Sequence, residues 1–237
     1  MNYKITNIKK KQSNTLLIIF TSHGMSKKIN KYPFSFFTYF DNLNVNKLFI
    51  REEEKCNWYM NGINNKYSDV ISCVDYIKTI INENFTNIKK IFTFGLSSGG
   101  FAAILFGILL NCQIICCSPQ TNICLNFEKR LIKNISPLTN YLFNYNLKTK
   151  QLTNFEKVNN LKYMDLGLLA KNLNYNKKIY YIVGKYNKQD MYYLRYLTSK
   201  INTNNLFIRY LNTNHHKITL FLKKDEFNKI IFNIINR

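Results

Sequence analysis

Three side chains, Ser97, Asp190 and His216, have the types and order needed for nucleophilic attack on a carbonyl carbon. A serine hydroxyl attacks when a general base removes its proton, and an imidazole base needs a carboxylate to hold its tautomer and orientation. Ser97 is the centre of Gly95-Leu-Ser-Ser-Gly99, which joins a β-branched and aromatic run (Ile91 to Phe94) to a continuous apolar run (Phe101 to Leu110). A Gly-x-Ser-x-Gly frame at a strand-to-helix junction makes a tight, strained turn that pushes the central hydroxyl out at the top of a sheet. Glycine two residues before and two after removes side chains that would strike the neighbouring strand and helix. The spacing also selects Ser97 over Ser98, because a frame centred on Ser98 would put Leu96 where a small residue is required.

Such residues need a scaffold, and the chain reads as strands alternating with helix-length segments. Thr15 to Thr21 is apolar on both faces, as at the centre of a parallel sheet. Further strands are predicted at Lys47 to Arg51, Ile91 to Phe94, Gln113 to Ser118, Lys178 to Gly184 and Leu206 to Leu211, with a weak edge strand at Tyr3 to Ile8. Val70, Ile71, Val74, Ile77, Ile80 and Ile81 recur at helical spacing within 67–82, and helices are also predicted at Met191 to Ile201 and Phe227 to Ile235. The alternation predicts an α/β fold, a mostly parallel central sheet with helices on both faces and right-handed crossovers. The aromatic-rich segment Tyr32 to Phe40 is expected over the sheet edge. Segment 120–176 has a weaker, mixed pattern and reads as a small cap or insertion following the strand after the nucleophile's helix. With 237 residues and no linker-like stretch, residues 1–237 are expected to form a single domain.

In parallel sheets, ligands bind at the carboxyl ends of the strands. Ser97 follows one predicted strand, Asp190 falls in the loop after the penultimate strand, and His215-His216 follow the last. Among rival acids, Asp165 precedes the relevant strand, and Asp225 and Glu226 open the final helix, where they suit its dipole. Asp190 has its own alternative as N-cap of a helix starting at Met191. His216 is preferred as base because Ile218 and Leu222, four residues apart, would anchor a helix starting at that histidine; His215, facing solvent, is the alternative. Ser22-His23-Gly24-Met25 follows the second strand and is a candidate loop for donating a backbone N–H to an oxyanion, and the N–H of Ser98 is the candidate second donor. Trp58 and Tyr59, in the loop Glu52 to Gly62, are candidates for lining a substrate pocket, with core packing as the alternative.

The elbow and the order Ser, Asp, His at strand ends resemble the α/β-hydrolase superfamily, over nearly the whole chain. More narrowly, the strand-GLSSGG-helix-strand-Ser-Pro-Gln block (Ile91 to Gln120), the Arg51 to Gly62 loop with its Trp-Tyr and the terminal His-x-Ile segment are similar to compact bacterial hydrolase-like proteins, some associated with surface polysaccharides. Two departures stand out: Ser98 sits where many relatives carry Met, and the histidine is doubled. The resemblance implies a serine-dependent carboxylic ester hydrolase without a cofactor, acting on a small-molecule or carbohydrate ester. Ser97 would be the nucleophile, His216 the base oriented by Asp190, and the N–H groups of Ser98 and the His23–Gly24 loop the oxyanion hole. The alternatives are an O-acyltransferase with the same triad and a non-catalytic module of this fold that binds an anionic polymer.

Composition narrows the class. A hydrophobic fraction of 46% with 15% aromatics excludes a disordered chain. The net charge of +21 invites an anionic partner, but the lysines are scattered rather than gathered into a stripe, so no specific nucleic-acid partner is expected, while contact with an anionic surface stays open. The six cysteines include the adjacent pair Cys116-Cys117 and fit neither a zinc site nor a CxxC motif; reduced, buried cysteines of a cytoplasmic protein are expected. None of the three histidines pairs with Cys or Glu at metal-ligand spacing, so no metal is expected. The run Leu16 to Phe20 is too short for a signal-peptide core, and Phe101 to Leu110 is about half of a membrane span.

Overall fold

The computed structural model describes residues 2–6, 13–22, 34–52, 58–123, 145–146, 151–152 and 162–237. Its strands are β1 (Tyr3–Thr6), β2 (Thr15–Phe20), β3 (Asn46–Ile50), β4 (Lys90–Leu96), β5 (Gln113–Cys117), the short pair β6 (Tyr145–Asn146) and β7 (Gln151–Leu152), β8 (Ile179–Gly184) and β9 (Leu206–Leu211). Its helices are α1 (Val70–Asn84), α2 (Ser98–Leu109), α3 (Leu166–Asn172), α4 (Lys188–Thr198) and α5 (Lys224–Ile235). Seven strands form one sheet in the order β1-β3-β2-β4-β5-β8-β9; β1 runs antiparallel to β3 and the other pairs are parallel.

The register sets where functional groups can meet. Phe20 pairs with Ile50 on one side and Gly95 on the other, Leu96 pairs with Cys117, Cys117 with Ile182, and Gly184 with Leu211. The carboxyl ends of β3, β2, β4, β5, β8 and β9 therefore lie along one edge. Every residue of β2 is buried, with Leu16, Ile18 and Phe20 on one face and Leu17 and Ile19 on the other, which is why this strand reads as continuously apolar.

Helices α1 to α4 cover one face and α5 the other. Helix α1 starts at Val70, three residues after the predicted start, because the Asp69 side chain caps it by accepting the Ser72 N–H at 2.9 Å. The aromatic segment expected over the sheet edge lies on a face instead: Phe36 and Phe40 meet Phe94 edge-on, with ring centroids 4.9 Å apart in both pairs, and stack on Phe227 of α5.

Most of segment 120–176 lies outside the described residues. Its described end contains α3, whose Leu166, Leu169 and Ala170 join the α1–α4 core. Asp165 caps α3 by accepting the Leu168 N–H at 3.0 Å and also accepts from Asn122 Nδ2 at 2.7 Å and from the Tyr196 hydroxyl. These bonds tie the loop after β5 to α3 and α4. Cys73, Cys112, Cys116 and Cys117 are free and buried. Burial pushes the thiols of Cys73 and Cys112 up to about 12 and those of Cys116 and Cys117 higher still, so they stay protonated and inert near neutral pH. Among the described residues no helix is long and apolar enough to cross a membrane, and no cluster of three metal-binding side chains occurs.

Candidate active site

Ser97 lies between β4 and α2 with φ 56° and ψ −120°. That conformation costs a non-glycine residue about 1–3 kcal/mol and persists only where surrounding structure imposes it. Here the Ser97 N–H donates to the Cys117 carbonyl at 2.9 Å and its own carbonyl accepts the Phe101 N–H at 2.9 Å. The flanking glycines make the turn possible. A Cβ on Gly95 would lie 2.0 Å from the Gly99 carbonyl oxygen, and one on Gly99 would lie 2.4 Å from the Phe20 carbonyl oxygen. Strand, helix and neighbouring strand thus meet backbone to backbone. Gly95→Ala is expected to destabilise the fold by about 3 kcal/mol or more, measured as a lowered urea midpoint. Gly100→Ala, whose Cβ would lie 3.1 Å from the Cys117 oxygen, is expected to cost less.

His216 Nε2 lies 2.8 Å from Ser97 Oγ, and His216 Nδ1 lies 2.8 Å from Asp190 Oδ1. With the proton on Nδ1 donated to Asp190, Nε2 is left to accept the serine proton. Asp190 is 1% exposed and the His216 side chain 36%. The second carboxylate oxygen, Oδ2, is buried without a hydrogen-bond partner. The imidazole N–H and the amino end of α4, where Asp190 occupies the first turn, are what compensate this buried charge.

Asp190 is therefore not in a loop, as the sequence suggested. The helix starts at Lys188, and its N-cap is Asn187, whose side chain accepts the Asp190 N–H at 3.0 Å. Asn187 Nδ2 donates in turn to the Asn214 carbonyl at 2.9 Å, and the Tyr186 N–H donates to the Thr213 carbonyl at 3.1 Å. One residue thereby fixes the acid's helix and ties it to the loop carrying the base. Sequence reasoning missed it, although Asn three residues before Asp at the head of an amphipathic run is an N-cap signature. His216 does not start a helix either. Ile218 to Leu220 form a single 3-10 turn, Ile218 is fully buried beneath it, and α5 begins only at Lys224. His215 is exposed; its N–H donates to Thr213 Oγ1 at 3.1 Å.

Ser98, the residue after Ser97, opens α2, while His23 and Gly24 lie outside the described residues. Just before them, the Ser22 N–H donates to Ser35 Oγ at 3.1 Å and the Ser22 hydroxyl donates to the Leu96 carbonyl, which locks the end of β2 against the elbow. Tyr59, expected to line a pocket with Trp58, is instead fully buried; its hydroxyl lies 3.0 Å from the Thr21 carbonyl and 3.2 Å from that of Ile50, stapling the ends of β2 and β3. Trp58 is 8% exposed and donates from Nε1 to Gln120 Oε1 at 2.6 Å, bridging the loops after β3 and β5.

The fold recurs in solved structures. A capsule O-acetyltransferase of Neisseria meningitidis serogroup A is 19% identical, with a TM-score of 0.67 over 98% of this chain and 89% of that one. Acetyl xylan esterase 1 from Thermoanaerobacterium sp. JW/SL YS485 is 12% identical, with a TM-score of 0.66 over 98% of this chain and 77% of that one. The chain has the α/β-hydrolase fold. MenH from S. aureus, 15% identical with a TM-score of 0.55, matches it over 99% of this chain and 98% of its own. Structural neighbours with this α/β-hydrolase fold thus include both esterases and acetyltransferases. No protein-family model and no curated protein matches the chain.

Proposed function

We propose that the chain is a serine-dependent acyl hydrolase acting on carboxylic esters, acylated carbohydrates among them. The reading rests on the chain Ser97 Oγ–His216 Nε2 and His216 Nδ1–Asp190 Oδ1, both 2.8 Å, mounted on a strained elbow at the carboxyl edge of the sheet. Ser97 Oγ bonds to the ester carbonyl carbon while its proton passes to His216 Nε2, and Asp190 holds the resulting imidazolium. The carbonyl oxygen becomes an oxyanion, for which the N–H of Ser98 and an N–H of the His23–Gly24 loop are the proposed donors. Collapse breaks the bond to the alcohol oxygen, which leaves with the proton from Nε2. Water then gives a proton to His216 and attacks the acyl-serine; the bond between the acyl carbon and Ser97 Oγ breaks, Ser97 takes the proton back from His216, and the carboxylic acid is released. The four buried, protonated cysteines offer no competing nucleophile.

The likeness to the capsule O-acetyltransferase, one structure of which is in complex with CoA, favours a second reading in which a sugar hydroxyl replaces water in the second half. Thiol release from acetyl-CoA that rises on adding a sugar acceptor would select it. The test common to both readings is labelling by a fluorophosphonate. A single adduct is expected on Ser97, absent in Ser97→Ala and absent after prior unfolding. Folded protein that takes up no label would instead leave a non-catalytic module of this fold.

A further inference from the structure

Resting on the esterase reading, we propose that the substrate is an ester carried on an acidic glycan, and that Arg51 recognises a carboxylate or phosphate group of that glycan beside the reacting ester. Arg51 directly follows β3. Its Nε is buried without a hydrogen-bond partner, and its guanidinium rests over the Phe34 ring, 5.5 Å from the centroid. A buried guanidinium N–H without an acceptor calls for a partner, and a ring-stacked guanidinium keeps its fork of donors aligned for a planar anion.

The position fits the chemistry. Neighbouring strands lie about 4.8 Å apart, and β2 alone separates β3 from β4, so the Arg51 backbone is roughly 10 Å from the elbow. Contacts run between them: Phe34 precedes Ser35, Ser35 Oγ accepts the Ser22 N–H, and the Ser22 hydroxyl donates to the carbonyl of Leu96, the residue before Ser97.

The opposite flank of the site is basic. From residue 166 to residue 224 the sole acid is Asp190, against eleven lysines and arginines, and Asp190 is buried on His216. Lys185 before α4, Lys188 at its first position and Lys217 beside His216 are exposed. A polyanion approaching Ser97 would meet the exposed Lys185, Lys188 and Lys217 beside His216, with the nearest exposed acids in that part of the sequence, Asp225 and Glu226, at the start of α5.

The test compares hydrolysis of O-acetylated polygalacturonate, neutral acetylated xylo-oligosaccharides and p-nitrophenyl acetate. Arg51→Gln is expected to raise KM for the polygalacturonate ester about tenfold, to leave the two neutral esters within twofold, and to be partly rescued by Arg51→Lys. Equal effects on charged and neutral esters, or none, overturn the proposal. So does a Glu53→Gln/Glu54→Gln variant that reproduces the Arg51→Gln phenotype, since it would show an internal partner. Binding is read separately from catalysis by titrating Ser97→Ala protein with unacetylated polygalacturonate and with inorganic polyphosphate at 50 and 200 mM NaCl. Salt-sensitive binding that weakens in Arg51→Gln supports the proposal, and the stronger ligand separates carboxylate from phosphate. Binding of neither, or of phosphatidylglycerol vesicles alone, overturns it. A wild type inert to fluorophosphonate would sink the esterase reading while leaving this titration intact.

Discussion

Replacing Ser97 with alanine is expected to lower kcat/KM for p-nitrophenyl acetate by about five to six orders of magnitude, because among the described residues no other hydroxyl or thiol is hydrogen-bonded to His216. The hydroxyl is 2.8 Å from the base, and the backbone that presents it is held by the Cys117 carbonyl and by the glycine contacts, which alanine leaves in place. Thermal unfolding should accordingly shift little. Residues of a triad act as a unit, so adding His216→Ala to Ser97→Ala should cost little more. His215→Ala is the natural control: its ring is exposed and outside the hydrogen-bonded chain, and its rate should stay within about threefold of wild type. A loss below tenfold in Ser97→Ala, or a large one in His215→Ala, would overturn the assignment of nucleophile or base.

Asp190→Asn is expected to lower kcat about 10⁴-fold while stability is unchanged or rises. The amide has nearly the same shape, but its NH₂ would face His216 Nδ1 and move the imidazole proton to Nε2, the atom that must accept from Ser97. Stability should not fall, because the substitution replaces a carboxylate that is 1% exposed, with one oxygen unpartnered, by a neutral group. Parallel measurement of kcat and the urea midpoint separates the outcomes. A fall in both together would mark Asp190 as a structural residue of α4 rather than the orienting acid.

Much of this geometry was legible in the residues. The elbow could be read because the constraint is local: a turn this tight admits no Cβ at Gly95 or Gly99, so the glycines must appear at fixed spacing in any sequence that makes it. The central strands could be read because burial on both faces leaves no polar position in Leu16 to Phe20. Helix starts were harder. Asp69 and Asn187 moved the first turns of α1 and α4 by capping them, and a cap depends on one side chain's hydrogen bond rather than on a pattern. Tyr59 read as a candidate for lining a pocket, since a tyrosine's ring and hydroxyl can serve a ligand; the two carbonyls its hydroxyl meets at the ends of β2 and β3 place it in the core.

The sequence by itself determined which serine the elbow presents and the chain order in which acid and base follow it, because both are consequences of residue type and spacing along one strand-turn-helix unit and two later strand ends. Only the tertiary structure decided which histidine faces that serine, where the acid sits, and that Arg51 comes near the elbow with its Nε unmatched. Ser97 and His216 are 119 positions apart, and His216 and Asp190 are 26 apart. They meet because parallel register places the ends of β4, β8 and β9 along one edge and Asn187 ties the last two loops together, a long-range pairing that no local pattern records.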